Sequence, residues 1–157
     1  MALTIALTPH HLHTLDLTPA QAVLDPLVAS NTLLDHEQQL TFTVDYPREP
    51  GDPRELSEIP EVRLWFVRLD AYYPWLPLLL DWKAGELGRY TAMLVPHQFH
   101  PREGIMYNPE ALEIFVMGKT FTLWRWLQDQ SREGKSRVQA MTQMLGYEMV
   151  DEFFQLL

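Results

Sequence analysis

Cysteine is absent from this chain of 157 residues. Without a thiol there can be no disulfide framework, no thiolate zinc site, no cysteine nucleophile and no iron–sulfur cluster held by cysteines in the usual way. The motifs G-x-S-x-G and G-x-G-x-x-G are absent as well. The common signals for a serine nucleophile and for dinucleotide binding are therefore missing.

Positive charge is also in short supply. Lysine and arginine together number 12 against 21 aspartates and glutamates, which gives a formal net charge of −9. This charge opposes the electrostatic attraction that supplies most nonspecific nucleic-acid affinity, and it repels anionic membrane surfaces. We therefore expect no nucleic-acid partner, and we expect proteins or cations instead.

Long apolar runs are missing too. The stretch YYPWLPLLLDW is interrupted by Pro74, Pro77 and Asp81, and no run approaches the roughly 18 to 20 residues needed to cross a bilayer. The N-terminus lacks the features of a secretion signal and of an Arg- and Ser-rich transit peptide. We expect a cytoplasmic protein that does not insert into a membrane.

What is present fits one compact domain over residues 1–157. A chain of this length can bury a sizeable core, and a hydrophobic content of 46% with five tryptophans exceeds the range of disordered chains. Only the segment 1–14, with its histidine cluster HHLH, is expected to be loosely ordered.

The periodicity of the sequence predicts an α+β fold. Alternating or continuous apolar residues predict strands at 2–8, 40–46, 62–71, 89–96 and 112–117. Capping boxes and apolar residues spaced by three and four predict a helix from Thr18, kinked near Pro26, and a helical C-terminus from about Ser136. The expected domain is a small, mainly antiparallel or mixed sheet of four or five strands packed with helices.

The signals for catalysis are incomplete. The sequence GKT at 118–120 follows an apolar run as in a phosphate-binding loop, but the glycine required five residues earlier is Glu113. A tight turn at Gly118 is the better interpretation. Asp70 and Asp81 are the best candidates for acid–base work, yet aspartates at the ends of apolar segments usually bind local backbone amides.

A histidine motif offers one alternative function. His97, His100 and Glu103 form H-x-x-H-x-x-E and could supply imidazole and carboxylate ligands to a metal in a metal-dependent enzyme. Prolines flank both histidines, and the spacing is much less specific than H-E-x-x-H on a helix. A polar loop is favoured, and we expect no catalytic residue and no cofactor.

The segment 45–61, DYPREPGDPRELSEIPE, is predicted to be an ordered loop that binds a partner. Its prolines at 47, 50 and 53 recur every third residue, which is the period of a polyproline II helix. That conformation would sort the charged residues onto two further edges, one with Arg48 and Arg54 and the other with Glu49, Asp52 and Glu55. A stiff edge loses little entropy on binding, and arginine pairs well with carboxylates.

Two alternatives to this binding surface remain open. The segment fits equally well as a plain connecting loop in which arginine and glutamate pair internally. A turn at Gly51-Asp52 would also break the extended edge. Nearby aromatics favour a surface, because one short helix cannot bury all of Tyr72, Tyr73, Trp75 and Trp82 on one side, and exposed aromatics often anchor interfaces.

The residues also resemble a known family. The block DYPREPGDPRELSEIPEVRLWFVRLDAYYPWLPLLLDWKAGELGRYTAMLVPHQF, followed by GIMYNPEALEIFVM, resembles the chlororespiratory reduction 6 family of small soluble proteins from cyanobacteria and chloroplasts. The likeness runs from about residue 15 to the C-terminus.

This resemblance implies a non-enzymatic factor for assembly of the photosynthetic NAD(P)H dehydrogenase-like (NDH) complex. The partner it implies is NdhI, the subunit with two iron–sulfur clusters, or an assembly intermediate of the hydrophilic arm. A cysteine-free chain suits a chaperone for that subunit better than a cluster carrier. Plant relatives work in the stroma and carry a transit peptide, so this chain resembles a cyanobacterial member.

Overall fold

A computed structural model describes residues 2–157. Within these residues the strands are β1 (Leu3–Leu7), β2 (Leu40–Val44), β3 (His97–His100) and β4 (Gly104–Tyr107). The α-helices are α1 (Pro9–His13), α2 (Thr18–Ala29), α3 (Pro60–Tyr72), α4 (Glu86–Leu94), α5 (Pro109–Asp129), α6 (Lys135–Met144) and α7 (Asp151–Phe154). Short 3₁₀ turns lie at Leu33–His36, Leu56–Glu58 and Leu76–Leu78.

The strands form two separate pairs. β1 pairs in parallel with β2, with Ile5 opposite Phe42, and β3 pairs antiparallel with β4, with Phe99 opposite Ile105. The prediction of a mixed helix and strand domain is confirmed, but the prediction of one sheet with four or five strands is wrong. Helices supply most of the regular structure within residues 2–157.

Three segments predicted as strands are helical. Residues 62–71 lie in α3, residues 89–94 lie in α4, and residues 112–117 lie inside α5. The α3 segment appears apolar on both strand faces because Leu64 and Val67 are exposed apolar residues on the outer side of the helix. Its buried residues follow helical spacing, at Val62, Trp65, Phe66 and Leu69.

Other elements agree with the sequence. Strand β1 lies within the predicted 2–8, β2 lies within 40–46, and α2 contains Pro26 inside the helix. The C-terminal helices α6 and α7 are present, and α6 begins after Gly134 with the Ser136 amide donating to Glu133 Oε1 at 2.8 Å. The N-terminal histidines lie in α1, which begins with a capping box formed by Thr8 and His11.

One hydrophobic core joins β1, β2 and the helices α1 to α7. At its centre, Trp65 is fully buried and its Nε1 donates to the carbonyl oxygen of Asp16 at 2.7 Å. The rings of Phe42 and Phe66 pack edge to face against it, and Tyr90 packs edge to face against Phe66, an arrangement that aromatic quadrupoles favour. Among residues 2–157, no helix combines the length and the apolar character needed to cross a membrane.

Candidate functional site

The segment 45–61 runs from the end of β2 to the first turn of α3. The chain reverses at Gly51, which has a φ of +84°, and the amide of Asp52 donates to the carbonyl of Glu49 at 3.1 Å. Glycine takes up this left-handed conformation without steric cost. The expected polyproline II edge is therefore broken after Pro50, and the alternative of a turn at Gly51-Asp52 is confirmed.

Both arginines of the segment are engaged within it. The Arg54 guanidinium contacts both carboxylate oxygens of Asp52, with Nη2 to Oδ2 at 2.8 Å and Nε to Oδ1 at 3.1 Å. The hydrogen bonds from the Arg54 side chain and backbone lower the pKa of Asp52 to about 2. The Arg48 guanidinium donates to the carbonyl oxygen of Arg54 across the turn. These bonds order the turn, and they leave the arginines less available to a partner.

The base of the segment is closed by further hydrogen bonds. The Tyr46 hydroxyl donates to Glu61 Oε2 at 3.3 Å, and the amide of Glu55 donates to Glu58 Oε2 at 2.7 Å. The side chains of Glu49 and Glu55 remain exposed. The structure thus brings Arg48, Glu49, Asp52, Arg54 and Glu55 together on one ordered turn, on which all but Asp52 are exposed.

The aromatic anchors are not on the surface, which corrects the sequence prediction. Tyr73, Trp75 and Trp82 are only 4%, 8% and 9% exposed. The Tyr73 hydroxyl donates to Asp25 at 2.6 Å, and Trp75 stacks on Trp126 with ring centroids 5.7 Å apart. They are buried because the whole core, and not one short helix, receives them.

The histidines of the motif are engaged in local hydrogen bonds. His97 and His100 begin and end β3, and each already has hydrogen-bond partners. His97 Nε2 lies 2.9 Å from the Ser57 hydroxyl, and His100 Nδ1 accepts from the backbone amides that follow it. No group of three metal-ligating side chains occurs in the part of the chain that the structure describes.

The sequence GKT lies inside α5 and not in a loop or turn. Lys119 is buried, and its ammonium group donates to Asp70 and, at 2.9 Å, to the carbonyl of Pro74. The Tyr90 hydroxyl donates to the same Asp70 oxygen at 2.7 Å. This network serves packing between three helices, and the prediction of a tight turn at Gly118 is wrong. Asp81 accepts from the amide of Ala84, as expected for an aspartate at the end of an element.

A cleft adjoins the returning end of the 45–61 segment. It has a volume of about 370 Å³ and lies between β2, the turn Leu56–Glu58, α3 and α4, with Ile105 of β4 at its edge. Glu86 on its wall is 4% exposed, and burial raises the pKa of this carboxyl, although Arg89 at 2.7 Å opposes the shift. No local sequence pattern indicates the cleft, because its walls come from segments far apart in the chain.

The sequence profile of the chlororespiratory reduction 6 family matches residues 7–156. This chain therefore belongs to the chlororespiratory reduction 6 family. The match extends over the turn, the cleft and the buried Lys119 network alike, and it confirms the resemblance drawn from the residues. Family membership indicates a role in assembly of the NDH complex and favours a non-enzymatic protein. No solved structure matches the chain.

Proposed function

We propose that this member of the chlororespiratory reduction 6 family is a non-enzymatic factor that holds NdhI, or a hydrophilic-arm intermediate containing it, during assembly of the NDH complex. The family match over residues 7–156 carries the proposal. A photosynthetic cyanobacterial cytoplasm is the proposed setting, and no cofactor is required.

The ordered turn of the 45–61 segment supports this role. Its conformation is held by hydrogen bonds inside the segment, so a partner does not have to order it on binding. Association then loses less conformational entropy than it would with a mobile loop. The exposed carboxylates of Glu49 and Glu55 and the flanking residues Arg48, Asp52 and Arg54 form the proposed contact surface.

Isothermal titration against purified NdhI tests the proposal directly. NdhI is used in its cluster-free and its cluster-loaded form, because a maturation factor should distinguish the two. The variant carries alanine at Arg48, Glu49, Arg54 and Glu55. The matched control removes the ion pair of Lys135 and Asp151, which joins α6 to α7 with a distance of 3.1 Å.

We expect wild type and the control to bind NdhI with one-to-one stoichiometry and the fourfold variant to lose most of that affinity. Binding that survives the fourfold change would remove the segment from the interface. An absence of binding by wild type to either form of NdhI would refute the proposed function itself.

A further inference from the structure

Strand β2 has one paired edge and one partly open edge. The parallel register with β1 and the bond from the Asp45 amide to the Leu7 carbonyl, at 2.9 Å, direct the amides of odd-numbered β2 residues toward β1. Because successive amides of a strand point to opposite sides, those of Leu40, Phe42 and Val44 face the other edge.

Only the first part of the outer edge of β2 makes hydrogen bonds with the rest of the domain. The Leu40 amide donates to the carbonyl of Leu79 at 2.8 Å, and the backbone of Phe42 interacts with the buried carboxylate of Glu86 and opposes the rise in its pKa. The Val44 amide makes no hydrogen bond on this side within residues 2–157. An unpaired strand edge can accept another strand, which natural proteins otherwise protect.

The cleft of about 370 Å³ opens beside this unpaired position. Val44 lines it together with apolar side chains of the turn and helices, namely Leu56, Phe66, Met93 and Ile105. Its volume lies within the range of pockets that bind ligands and side chains. A large apolar side chain on a strand that pairs with Val44 could occupy this cleft.

The charged side chains at the rim of the cleft that are not in an ion pair are negative. Glu55 lines the cleft and is exposed, and exposed Asp45 follows Val44 directly. The one arginine of the lining, Arg89, is already paired with Glu86. A partner that complements this rim must bring a positive charge.

We propose that the outer edge of β2 and the adjoining cleft bind an extended segment of a partner protein that carries a large apolar side chain next to a lysine or arginine. The partner's backbone pairs with the Val44 amide, its apolar side chain fills the cleft, and its cation meets Glu55. This is recognition by strand addition, in which main-chain bonds supply affinity and pockets supply specificity. Only the identity of the partner rests on the proposed function.

The substitution Val44→Pro tests the main-chain bond. Proline removes the amide hydrogen at an edge position and leaves the amides that pair with β1 in place. Val44→Thr is the matched control, because it keeps the amide and the branched shape. In titrations with cluster-loaded NdhI, we expect V44P to bind about fivefold or more weakly, as for a lost hydrogen bond, and V44T to bind like wild type.

The charge at the rim is tested by Glu55→Lys, with Glu148→Lys as a control that makes the same change in net charge at an exposed site elsewhere. We expect E55K to weaken binding at low salt and the difference to shrink at high salt, since salt screens exposed charges. Equal binding by E55K and E148K would show that Glu55 faces no cation.

Hydrogen exchange of the Val44 amide provides a readout that does not depend on a variant folding. We expect this amide to exchange rapidly in the free protein and to become protected when NdhI is bound. Normal binding by V44P together with unchanged Val44 exchange would overturn the inference and leave the assembly function standing. A wild-type protein that does not bind NdhI would overturn both.

Discussion

The ammonium group of Lys119 on α5 donates a hydrogen bond to the carboxylate of Asp70 on α3, from a side chain that is 6% exposed. Burial lowers the pKa of Lys119, and the adjacent Asp70 opposes that shift. The same Asp70 oxygen accepts from Tyr90 on α4. A buried charge pair therefore ties three helices together, at a place where the sequence predicted a turn.

We expect Lys119→Ala to destabilise the protein by about 3 kcal/mol, because it leaves Asp70 without its cation and the Pro74 carbonyl without its donor. The lower end of the usual range applies because Asp70 is 24% exposed. Urea unfolding measures the change. Lys135→Ala, which removes an exposed ion pair, is the control and should cost less than about 0.5 kcal/mol. Equal losses in both variants would show that the buried network adds no stability.

Substitution by alanine at two glycines should change the stability of the protein in opposite directions. Neither has an atom within 4 Å of an added Cβ, so only backbone conformation differs. Gly51→Ala should lose about 1 kcal/mol, because its φ of +84° is strained for alanine. Gly118→Ala should gain about 0.5 to 1 kcal/mol inside α5. Thermal unfolding of both variants checks the signs, and a gain at Gly51 would contradict the observed turn.

The buried aromatic side chains near residue 75 should contribute to the stability of the fold rather than contact a partner. Trp75→Ala removes a ring that is 8% exposed and should cost about 3 kcal/mol or more. Tyr72→Ala removes a neighbouring ring that is 61% exposed and should change stability by less than about 0.5 kcal/mol. Chemical denaturation compares the two. A stable, folded W75A protein would be inconsistent with the core described above.

Glu86 should make stability depend on pH in a defined direction. Its folded-state pKa is raised above the usual 4.5, so the folded protein binds more protons than the unfolded chain in that window. The wild type should therefore lose stability as pH rises from 4.5 through the raised folded-state pKa, and Glu86→Gln should not share this loss.

Urea midpoints of wild type and E86Q between about pH 4 and pH 7 test this dependence. We expect the difference between the two proteins to shift in favour of E86Q as pH rises. Asp45→Asn, at an exposed carboxylate that follows the same strand, is the control. Parallel curves for wild type and E86Q would contradict a raised pKa for Glu86.

Local sequence patterns showed where several elements lie, but they did not always show whether an element is a helix or a strand. The strand at 40–46 was predictable because Leu40 and Phe42 alternate with polar residues across one sheet face. The window 112–117 was too short to reveal a helix that extends over Pro109–Asp129. Runs that are apolar on both faces fit a buried strand or a helix equally well, and only the packing partner distinguishes them.

The sequence by itself determined the absence of thiol chemistry, the negative charge, the mixed helix and strand content and the family. These follow from composition and from long stretches of residues, which need no knowledge of contacts. Only the tertiary structure decided that Trp75 and Trp82 are buried, that the 45–61 segment folds back at Gly51, and that the Val44 edge opens on a cleft. Each of these depends on which distant segments meet, because burial and hydrogen-bond pairing are properties of contacts between residues far apart in the chain.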